Sequence, residues 1–394
     1  MAYRTTSWKN TDIGKIPSDW SVVPLSSICD NYTGLTYSPS DVSNSGTLVL
    51  RSSNIQNDRL SFLDNVFVKM SIPERAIARN GDLLVCVRNG STKLIGKSAI
   101  VTGDNMAFGA FMTVLRAKNF SAKYLPFIWR SFYIQRQVQI TLGATINQIT
   151  NGDIRKFFVP ISQNVEEQQK IATVLTDLDD LIAELEKVRD KKQAIKIGAM
   201  QELLTGKRRL PGFNKPWKKV ELGEIAAFEK GKQLNRTAMI ISGYPVYNGG
   251  ITASGYTDDY NTESNTVIIS EGGNSCGYVN FITERFWAGG HCYVLSSEIT
   301  DKNFLYQVLK LQEEQIMALR IGSGLPNIQI KALNCFKLYI PTDKIEQEAI
   351  ANILSDMDDE ISAINDKINK YKQIKAGLAD ELLSGRIRLI KPQE

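Results

Sequence analysis

IATVLTDLDDLIAELEKVRDKKQAIKIGAMQELLTGKRRL, residues 171–210, returns at residues 350–389 as IANILSDMDDEISAINDKINKYKQIKAGLADELLSGRIRL. The two segments align without a gap, and 17 of their 40 positions are identical. Two unrelated amphipathic helices would share the spacing of their apolar residues but not this many identities. The chain therefore contains an internal repeat, and the repeat decides its organisation.

Each copy predicts one long helix, because apolar residues recur at steps of three and four. Asn164 stands three residues before Glu167, and Asp343 stands three before Glu346, so each pair predicts a capping box at a helix start. Gly206 and Gly385 suit the left-handed position at a helix end. The residues that we expect to form a coiled coil or to dock a partner are Gln168, Ile171, Leu175, Leu178, Ile182 and Leu185 in the first copy, and Gln347, Ile350, Leu354, Met357, Ile361 and Ile364 in the second.

The repeat continues more weakly upstream of each helix. IPSDWSVVPLSSICDNYTG, from Ile16, resembles FNKPWKKVELGEIAAFEKG, from Phe213, which matches Trp20 with Trp217 and Gly34 with Gly231. GATINQI (143–149) similarly matches GSGLPNI (322–328). We therefore predict a body at 1–163, a long helix at 164–210, a second body at 211–342 and a second long helix at 343–394.

Both bodies predict mixed α and β structure. Short β-rich runs at 83–87, 99–101, 112–115, 266–270 and 292–295 alternate with turns rich in glycine and asparagine. Residues 124–141 and 302–320 are spaced as amphipathic helices. The fold class is therefore α+β.

Charge and composition narrow the class of protein. Hydrophobic residues make up 43% and charged residues 23% of the chain, as in ordinary globular proteins. No stretch approaches the roughly 18 apolar residues of a membrane helix, and residues 1–12 lack the apolar core of a signal peptide, so we expect a cytoplasmic protein without a membrane partner. Residues 1–163 carry 18 Lys and Arg against 10 Asp and Glu, which favours a polyanion partner.

The motifs and their order resemble the specificity subunits of type I restriction–modification systems. The helix entry carries Glu167-Gln168 and Glu346-Gln347, and the helix exits read LLTGKRRL (203–210) and LLSGRIRL (382–389). The start of the first body, Ile16-Pro17-x-x-Trp20, also matches. No single motif is specific to the family, whereas their order, repeated twice over nearly the whole chain, is.

The resemblance implies two mixed α/β target-recognition domains separated by two long antiparallel coiled-coil helices with a pseudo-two-fold internal repeat. It also implies double-stranded DNA, two methyltransferase subunits and restriction or translocase subunits as partners. Because the bodies differ in loop sequence and charge, we expect an asymmetric bipartite target, read as two blocks around a spacer. Helices of about 40 residues, some 60 Å long at 1.5 Å per residue, could act as the strut.

Candidate DNA-binding residues lie in the turns of the bodies. Arg suits guanine, Asn and Gln suit adenine, and Lys suits phosphate. Each could instead be an ordinary surface residue, and the turn around Arg88 could be a solvated hairpin tip. The candidates are Arg51, Asn54, Arg88, Asn89, Lys93, Lys97, Asn147 and Gln148 in the first body, and Lys230, Lys232, Arg236, Asn248, Asn274, Asn327 and Gln329 in the second. Glu271, in a glycine-rich turn, departs from the neutral or basic residue expected there.

We find no catalytic, cofactor-binding or metal-binding motif. Five residues separate the glycines Gly90 and Gly96, whereas a phosphate loop has four residues between its glycines. His291, the one histidine, lies beside Cys292 without zinc-finger spacing. The acids 177, 179 and 180, and 356, 358 and 359, suit a solvated or partner-facing helix surface better than a metal site. Two alternatives stay open: a free-standing DNA methyltransferase or nuclease with unrecognised motifs, and a coiled-coil scaffold that binds DNA without sequence preference.

Overall fold

The computed structural model describes residues 2–118, 120–144, 147–322, 324 and 326–391, and the chain divides into two compact units. Unit 1 contains residues 1–184 and 368–394, and unit 2 contains residues 185–367. The long helices are Val165–Leu203 and Lys344–Leu383, as the repeat predicts. Each unit thus holds one body, the beginning of one long helix and the end of the other. The predicted boundaries after residues 163, 210 and 342 fall in connections beside these helices and remain a prediction.

Unit 1 is built mainly of short strands with a few helices. Its helices besides the long ones are Leu25–Ile28, Leu125–Arg130, Phe132–Ala144 and Asn151–Lys156, with single 3-10 turns at Pro39–Asp41, Ser52–Asn54, Glu74–Ala76 and Thr92–Leu94. Its strands are Tyr3–Arg4, Trp8–Thr11, Gly14–Pro17, Trp20–Pro24, Cys29–Thr33, Val42–Ser43, Thr47–Leu50, Ile55–Gln56, Arg59–Leu60, Phe67–Val68, Ile77–Ala78, Leu83–Cys86, Ser98–Ile100, Met106–Phe108, Met112–Ala117, Phe158–Ser162 and Ile387–Arg388.

Unit 2 repeats the plan with fewer strands. Its shorter helices are Leu222–Ile225, Lys302–Leu311, Glu313–Met317 and Ile330–Asn334, with a 3-10 turn at Arg236–Ala238. Its strands are Trp217–Glu221, Ala227–Lys230, Tyr244–Tyr247, Gly255–Thr257, Thr266–Ser270, Val279–Ile282, Trp287–Ala288, Cys292–Ser296 and Lys337–Pro341. The mixed α/β prediction for both bodies is confirmed, and the predicted strands are found within two residues of their predicted ends.

A four-stranded antiparallel sheet lies at the centre of each body, and the two sheets have the same strand order. In unit 1, Leu83–Cys86 pairs with Met112–Ala117, which pairs with Cys29–Thr33. In unit 2, Thr266–Ser270 pairs with Cys292–Ser296, which pairs with Ala227–Lys230. The registers match residue for residue, so a position in one body has a definite counterpart in the other.

Gly34 and Gly231 occupy the same place in these two sheets, as the upstream repeat predicts. A Cβ at Gly34 would lie 2.1 Å from the carbonyl oxygen of Gly109, and one at Gly231 would lie 2.2 Å from that of Gly289. No other residue type fits so close to a neighbouring backbone. The weak upstream repeat therefore marks real structural equivalence.

Two predicted helices are each broken in two. The prediction for 124–141 becomes Leu125–Arg130 and Phe132–Ala144, because Ser131 is extended, with ψ 153°. The side-chain amide of Gln135 donates to the Trp129 carbonyl oxygen at 2.8 Å, which gives this carbonyl a hydrogen-bond partner at the break. The helix predicted at 302–320 is likewise two helices, of which the first ends at Leu311 and the second begins at Glu313.

The capping-box prediction is half wrong. The Asn164 side chain does accept hydrogen bonds from the backbone N–H groups of Glu166 and Glu167, at 2.8 and 3.3 Å. The Glu167 carboxylate, however, turns away from the helix end and is fully buried, with hydrogen bonds from Arg388 and Trp20. An Asn or Asp three residues before a Glu is found whether that Glu closes a capping box or forms a buried ion pair. The spacing alone therefore does not distinguish the two structures.

Unit 2 has the counterpart ion pair, in which Glu346 is fully buried and the Arg209 side chain is 29% exposed. Arg209 Nε donates to Glu346 Oε1 at 2.5 Å, and Trp217 Nε1 donates to the same oxygen at 3.4 Å. Gly206 has φ 72° and Gly385 has φ 71°, so both helices end in the predicted left-handed conformation. The order of motifs that the two copies share thus reflects residues that meet: the Trp of a body, the Glu that begins one long helix and the Arg that follows the other.

Within each unit, the two long-helix segments run antiparallel. In unit 1, Leu382 packs in the same core cluster as Ile171 and Leu175, while Lys375 pairs with Asp179. In unit 2, Lys196 pairs with Asp358 at 2.6 Å, and these are the counterparts of Lys375 and Asp179 in the repeat. These two acids, predicted to be solvated or partner-facing, therefore bind lysines of the other helix. Across the described part of the chain, no helix has the length and apolar character that crossing a membrane requires.

Candidate nucleic-acid interface

The first body carries a groove of about 700 Å³ beside the end of strand Thr47–Leu50. Arg51 follows this strand directly, and its guanidinium pairs with Asp64 at 2.9 Å. Arg51 Nε is buried without a hydrogen-bond partner in the described part of the chain. Phe111, 55% exposed, also lines the groove. Arg88 places its guanidinium 5.1 Å from the centre of the Phe111 ring, a cation–π contact at the surface.

The turn that contains Arg88 is tied to the other predicted turns of this body. Arg88 forms a backbone bridge with Gln148. Asn89 donates to Ser52 Oγ at 3.1 Å, and Asn147 donates to the Gly90 carbonyl at 3.5 Å. The structure therefore brings four of the candidates and the Arg51 segment together at one surface.

Three other candidates of the first body have different roles. Asn54 is fully buried, and its amide bonds the backbone of Arg51, Ser61 and Asp64, so it shapes the Arg51 turn rather than facing DNA. Lys97 donates to the Ile55 carbonyl at 3.0 Å. Lys93 is exposed in the 3-10 turn Thr92–Leu94, where it is available to a phosphate.

The second body has a groove of about 540 Å³ that gathers three of its candidates: Lys230, Asn248 and Asn327. Glu271 and His291 line the same groove. Lys230 Nζ lies 2.7 Å from Glu271 Oε1, and His291 Nδ1 lies 3.7 Å from Glu271 Oε2. The acid that sequence reasoning found out of place is thus at the centre of the site.

The remaining candidates of the second body lie around this groove. Arg236 lines a neighbouring cavity of about 770 Å³ that also contains Asn248. Asn274 is exposed in the turn after Gly273, which itself lines the groove. Lys232 is exposed, with its carbonyl accepting from Trp287 Nε1 at 2.8 Å. Gln329 is exposed at the start of helix Ile330–Asn334 and lines neither cavity.

The groove of the first body shares backbone positions with both cavities of the second body: Arg51 corresponds to Asn248, which lines both, and Phe111 corresponds to His291, which lines the cavity that holds Glu271. Arg51 follows strand Thr47–Leu50, which pairs in parallel with Met106–Phe108. Asn248 follows strand Tyr244–Tyr247, which pairs in parallel with Trp287–Ala288. The bridge between Arg88 and Gln148 is matched by a bridge between Gly272 and Asn327. The same backbone frame therefore presents different side chains in each body.

Phe111 and His291 are counterparts that sequence reasoning missed. Val87 N–H donates to the Phe111 carbonyl at 3.0 Å, and Glu271 N–H donates to the His291 carbonyl at 2.8 Å. Neither side chain belongs to a periodic pattern, since each stands in a loop after a glycine. The only sequence signal was their equal distance, two residues, from the glycines Gly109 and Gly289, which pack on Gly34 and Gly231.

The cysteines near the second groove are buried thiols. Cys276 donates to the Glu271 carbonyl at 3.0 Å, and burial raises the pKa of Cys292 to about 11. In the part of the chain that the structure describes, no group of three or more His, Cys, Asp or Glu side chains is arranged to hold a metal ion.

The helix residues expected to dock a partner lie mostly inside their own unit. Ile171, Leu175, Ile350 and Leu354 are at most 1% exposed and belong to the two main cores. Gln168 and Gln347 are buried too, each donating to a strand carbonyl, of Ser162 at 2.8 Å and of Pro341 at 3.0 Å. The apolar stripe thus anchors each helix to its body, because the body's sheet and helices need an apolar face to cover them.

Other apolar positions on the long helices face outward. Ile195 is 50% exposed and Ile374 is 43% exposed, and the two are counterparts in the aligned repeat. Leu178, Leu185, Met357 and Ile364 are partly buried, whereas Ile182 and Ile361 are buried.

The model of the family described as type I restriction modification DNA specificity domain matches residues 17–196 and 214–374. These two matches cover more than half of the chain, and the chain belongs to this family.

Curated relatives carry related descriptions. A putative type I specificity subunit of Mycoplasma genitalium is 34% identical over 172 residues, which are 43% of this chain and 45% of the relative. The EcoKI specificity subunit of Escherichia coli (strain K12) is 29% identical over 211 residues, 50% of this chain and 46% of the relative. The chain thus spans about half the length of these relatives. The putative MjaX specificity subunit of Methanocaldococcus jannaschii is 25% identical over 423 residues, 98% of each chain.

Solved structures show the same fold. The type I restriction–modification S subunit from M. genitalium gives a TM-score of 0.68 at 17% identity, over 96% of this chain and 98% of that one. A chain from a study of assembly and conformational transition in the type I system gives 0.54 at 18% identity, over 93% and 98%.

Proposed function

We propose that this chain is a non-catalytic specificity subunit of a type I restriction–modification complex. Each body reads one block of an asymmetric, bipartite double-stranded DNA target. The long helices dock two copies of a methyltransferase subunit, and restriction or translocase subunits join the complex that results. Membership of the DNA specificity family and the chain-long likeness to named specificity subunits support this proposal.

One observation carries the reading function: equivalent backbone positions, in the grooves or beside them, hold different polar side chains in the two bodies. Arg51 stands where the second body has Asn248, and Gln148 stands where it has Asn327. By contrast, the ion pairs Glu167–Arg388 and Glu346–Arg209, which hold the common fold, are kept in both copies. Arg prefers guanine edges and Asn prefers adenine edges in the major groove. Different polar side chains on a shared backbone frame are what two readers of different blocks require.

The docking function rests on Ile195 and Ile374. Both are exposed apolar residues at matching positions of the repeat, and two copies of one partner need two equivalent surfaces. Isolated apolar residues are common on protein surfaces, so it is their equivalence in the two copies that supports docking.

Selection from random duplex DNA tests the proposal. The purified chain, assembled with its methyltransferase partner, should enrich two short blocks separated by a spacer of fixed length. A free-standing methyltransferase would transfer labelled methyl groups to DNA without any partner. A scaffold would retain DNA without enriching any sequence. Either of these two outcomes would overturn the proposal.

A further inference from the structure

Among the described residues that line the groove of the second body, Glu271 is the one acid, and it follows the buried strand Thr266–Ser270. Its side chain is only 14% exposed. Its backbone is fixed from two sides, because its N–H donates to the His291 carbonyl at 2.8 Å and its carbonyl accepts from Ile328 N–H at 2.9 Å. The carboxylate is therefore held at a defined place on the groove wall.

One oxygen of this carboxylate is committed to the protein. Oε1 accepts from the Tyr293 hydroxyl at 3.0 Å and from Lys230 Nζ at 2.7 Å. Burial, together with the neighbouring Glu271, raises the pKa of Tyr293 to about 12, so this hydroxyl keeps its proton and stays a donor at neutral pH. The rotamer of Glu271 is thus set before DNA arrives.

The other oxygen, Oε2, lies towards His291, which also lines the groove. Oε2 has His291 Nδ1 at 3.7 Å, beyond hydrogen-bond distance, and accepts no hydrogen bond from the described part of the chain. An ionised carboxylate is an acceptor only, with several lone pairs to fill. A DNA phosphate offers acceptors and negative charge and cannot bind there. The groups on a DNA major groove that can donate are the exocyclic amino groups, N4 of cytosine and N6 of adenine.

The first body shows that this acid does not serve the common fold. Its counterpart there is Val87, whose carbonyl accepts from Ile149 N–H at 2.9 Å just as that of Glu271 accepts from Ile328. Val87 is 8% exposed and apolar. By contrast, the structural acids Glu167 and Glu346 appear in both copies. An acid that lines the groove in one copy only is a property of one half-site.

We propose that Glu271 is a specificity-determining residue that accepts a hydrogen bond from the exocyclic amino group of one cytosine or adenine in the block read by the second body. Lys230, 56% exposed and bonded to Glu271, lies beside it. The Lys230 ammonium thus places a donor next to the Glu271 acceptor. In both C·G and A·T pairs the exocyclic amino group stands next to a carbonyl oxygen of the partner base, so the two protein groups match the two groups of the base pair. The inference rests on the proposed function and names the chemistry of one of its contacts.

The test couples a protein change to the removal of one amino group. Once the target is known, duplexes are made in which each cytosine of the block is replaced in turn by pyrimidin-2-one, and each adenine by purine, both of which lack the amino group. The assembled complex of the wild-type chain should lose about tenfold or more in affinity at one position. The Glu271→Ala complex should bind that analogue and the natural duplex equally, and the base replaced identifies cytosine or adenine as the source.

Two variants keep the test interpretable. Glu271→Gln retains the size of the side chain and an oxygen for Tyr293, so it reports on readout if Glu271→Ala loses stability. Glu263→Gln removes an exposed acid of the same body, paired with Arg285, and should leave every affinity unchanged. If the wild type reads two blocks but no amino group couples to residue 271, this inference is overturned while the proposed function stands. If the wild type reads no sequence, the proposed function itself fails.

Discussion

Arg388 and Glu167, 221 residues apart in the chain, form a fully buried ion pair with two hydrogen bonds of 2.6 and 2.7 Å. Arg388 also bonds both carboxylate oxygens of Asp19, at 2.9 and 2.8 Å. The residues after the second long helix are thereby fixed to the start of the first helix and to the first body. Arg209 and Glu346 make the counterpart pair in unit 2.

Breaking this pair should destabilise unit 1 strongly. Arg388→Met leaves the buried Glu167 carboxylate without its cation, and a buried charge that loses its partner costs about 3–5 kcal/mol. The free energy of unfolding from a urea titration measures the change. Arg386→Ala, which removes exposed pairs with Asp380 and Glu381, is the matched control and should change stability by about 1 kcal/mol or less. Equal effects of the two variants would show that the buried pair does not hold unit 1 together.

The two helix-ending glycines should differ in their tolerance of a side chain. Alanine at either site must adopt a left-handed conformation, which costs about 1–2 kcal/mol. At Gly385 the new Cβ would also lie 2.5 Å from Pro17 Cγ, whereas at Gly206 the nearest atoms are Trp217 ring carbons at 3.3 Å. Urea titration should therefore find Gly385→Ala less stable than Gly206→Ala. The reverse order would contradict the close packing at Pro17.

Two basic residues of the first body should affect DNA binding in different ways. Lys93→Ala should weaken binding to all sequences alike and reduce the salt slope by about one unit, as expected when one phosphate contact is lost. Arg88→Ala should relax one position of the target, since Arg88 lies against Phe111 beside the groove.

Affinities measured over a series of salt concentrations, with target and scrambled duplexes, distinguish these two effects. Arg79→Ala removes an exposed Arg paired with Glu74 in the same body and should change neither property. If all three variants bind like the wild type, the turn at 88–97 is an ordinary solvated hairpin tip.

The exposed isoleucines of the long helices should control assembly. Ile195→Asp and Ile374→Asp should each remove one methyltransferase copy, and the double variant should remove both, because a charge is costly in a buried apolar contact. The mass of the complex by light scattering counts the copies, and circular dichroism verifies that the chain stays folded. Retention of two copies by the double variant would exclude these positions as the docking surface.

The sequence predicts what is periodic or repeated. The long helices, their left-handed ends and the equivalence of Gly34 with Gly231 were all accessible because periodicity and repetition are local or directly comparable. The pair Glu167–Arg388 was not, because its partners are 221 residues apart and Glu167 has the spacing of a helix cap. A usable signal did exist: an acid at 167 and 346, and an arginine at 209 and 388, stand at matching positions of both copies.

The site was only partly predictable for a physical reason. Arg51 and Asn54 stand in the same short polar segment, so the sequence does not distinguish their roles. In the structure the buried Asn54 side chain hydrogen-bonds the backbone of its own turn, whereas Arg51 lines the groove. The apolar face of each long helix was predicted correctly. Periodicity does not tell, however, whether that face packs against the chain's own body or against another protein. Loop residues such as Phe111 and His291 carry no pattern, and only the sheet register brings them into the grooves.

A map of the methylated bases in host DNA, in cells that carry this chain and its methyltransferase partner, tests the central claim most directly. Two bodies with a shared backbone frame and different side chains at their grooves predict an asymmetric target of two short, unlike blocks separated by a spacer without sequence preference. Substitutions in the groove of the second body should change one block and leave the other intact. One continuous or perfectly palindromic recognition sequence would contradict the account.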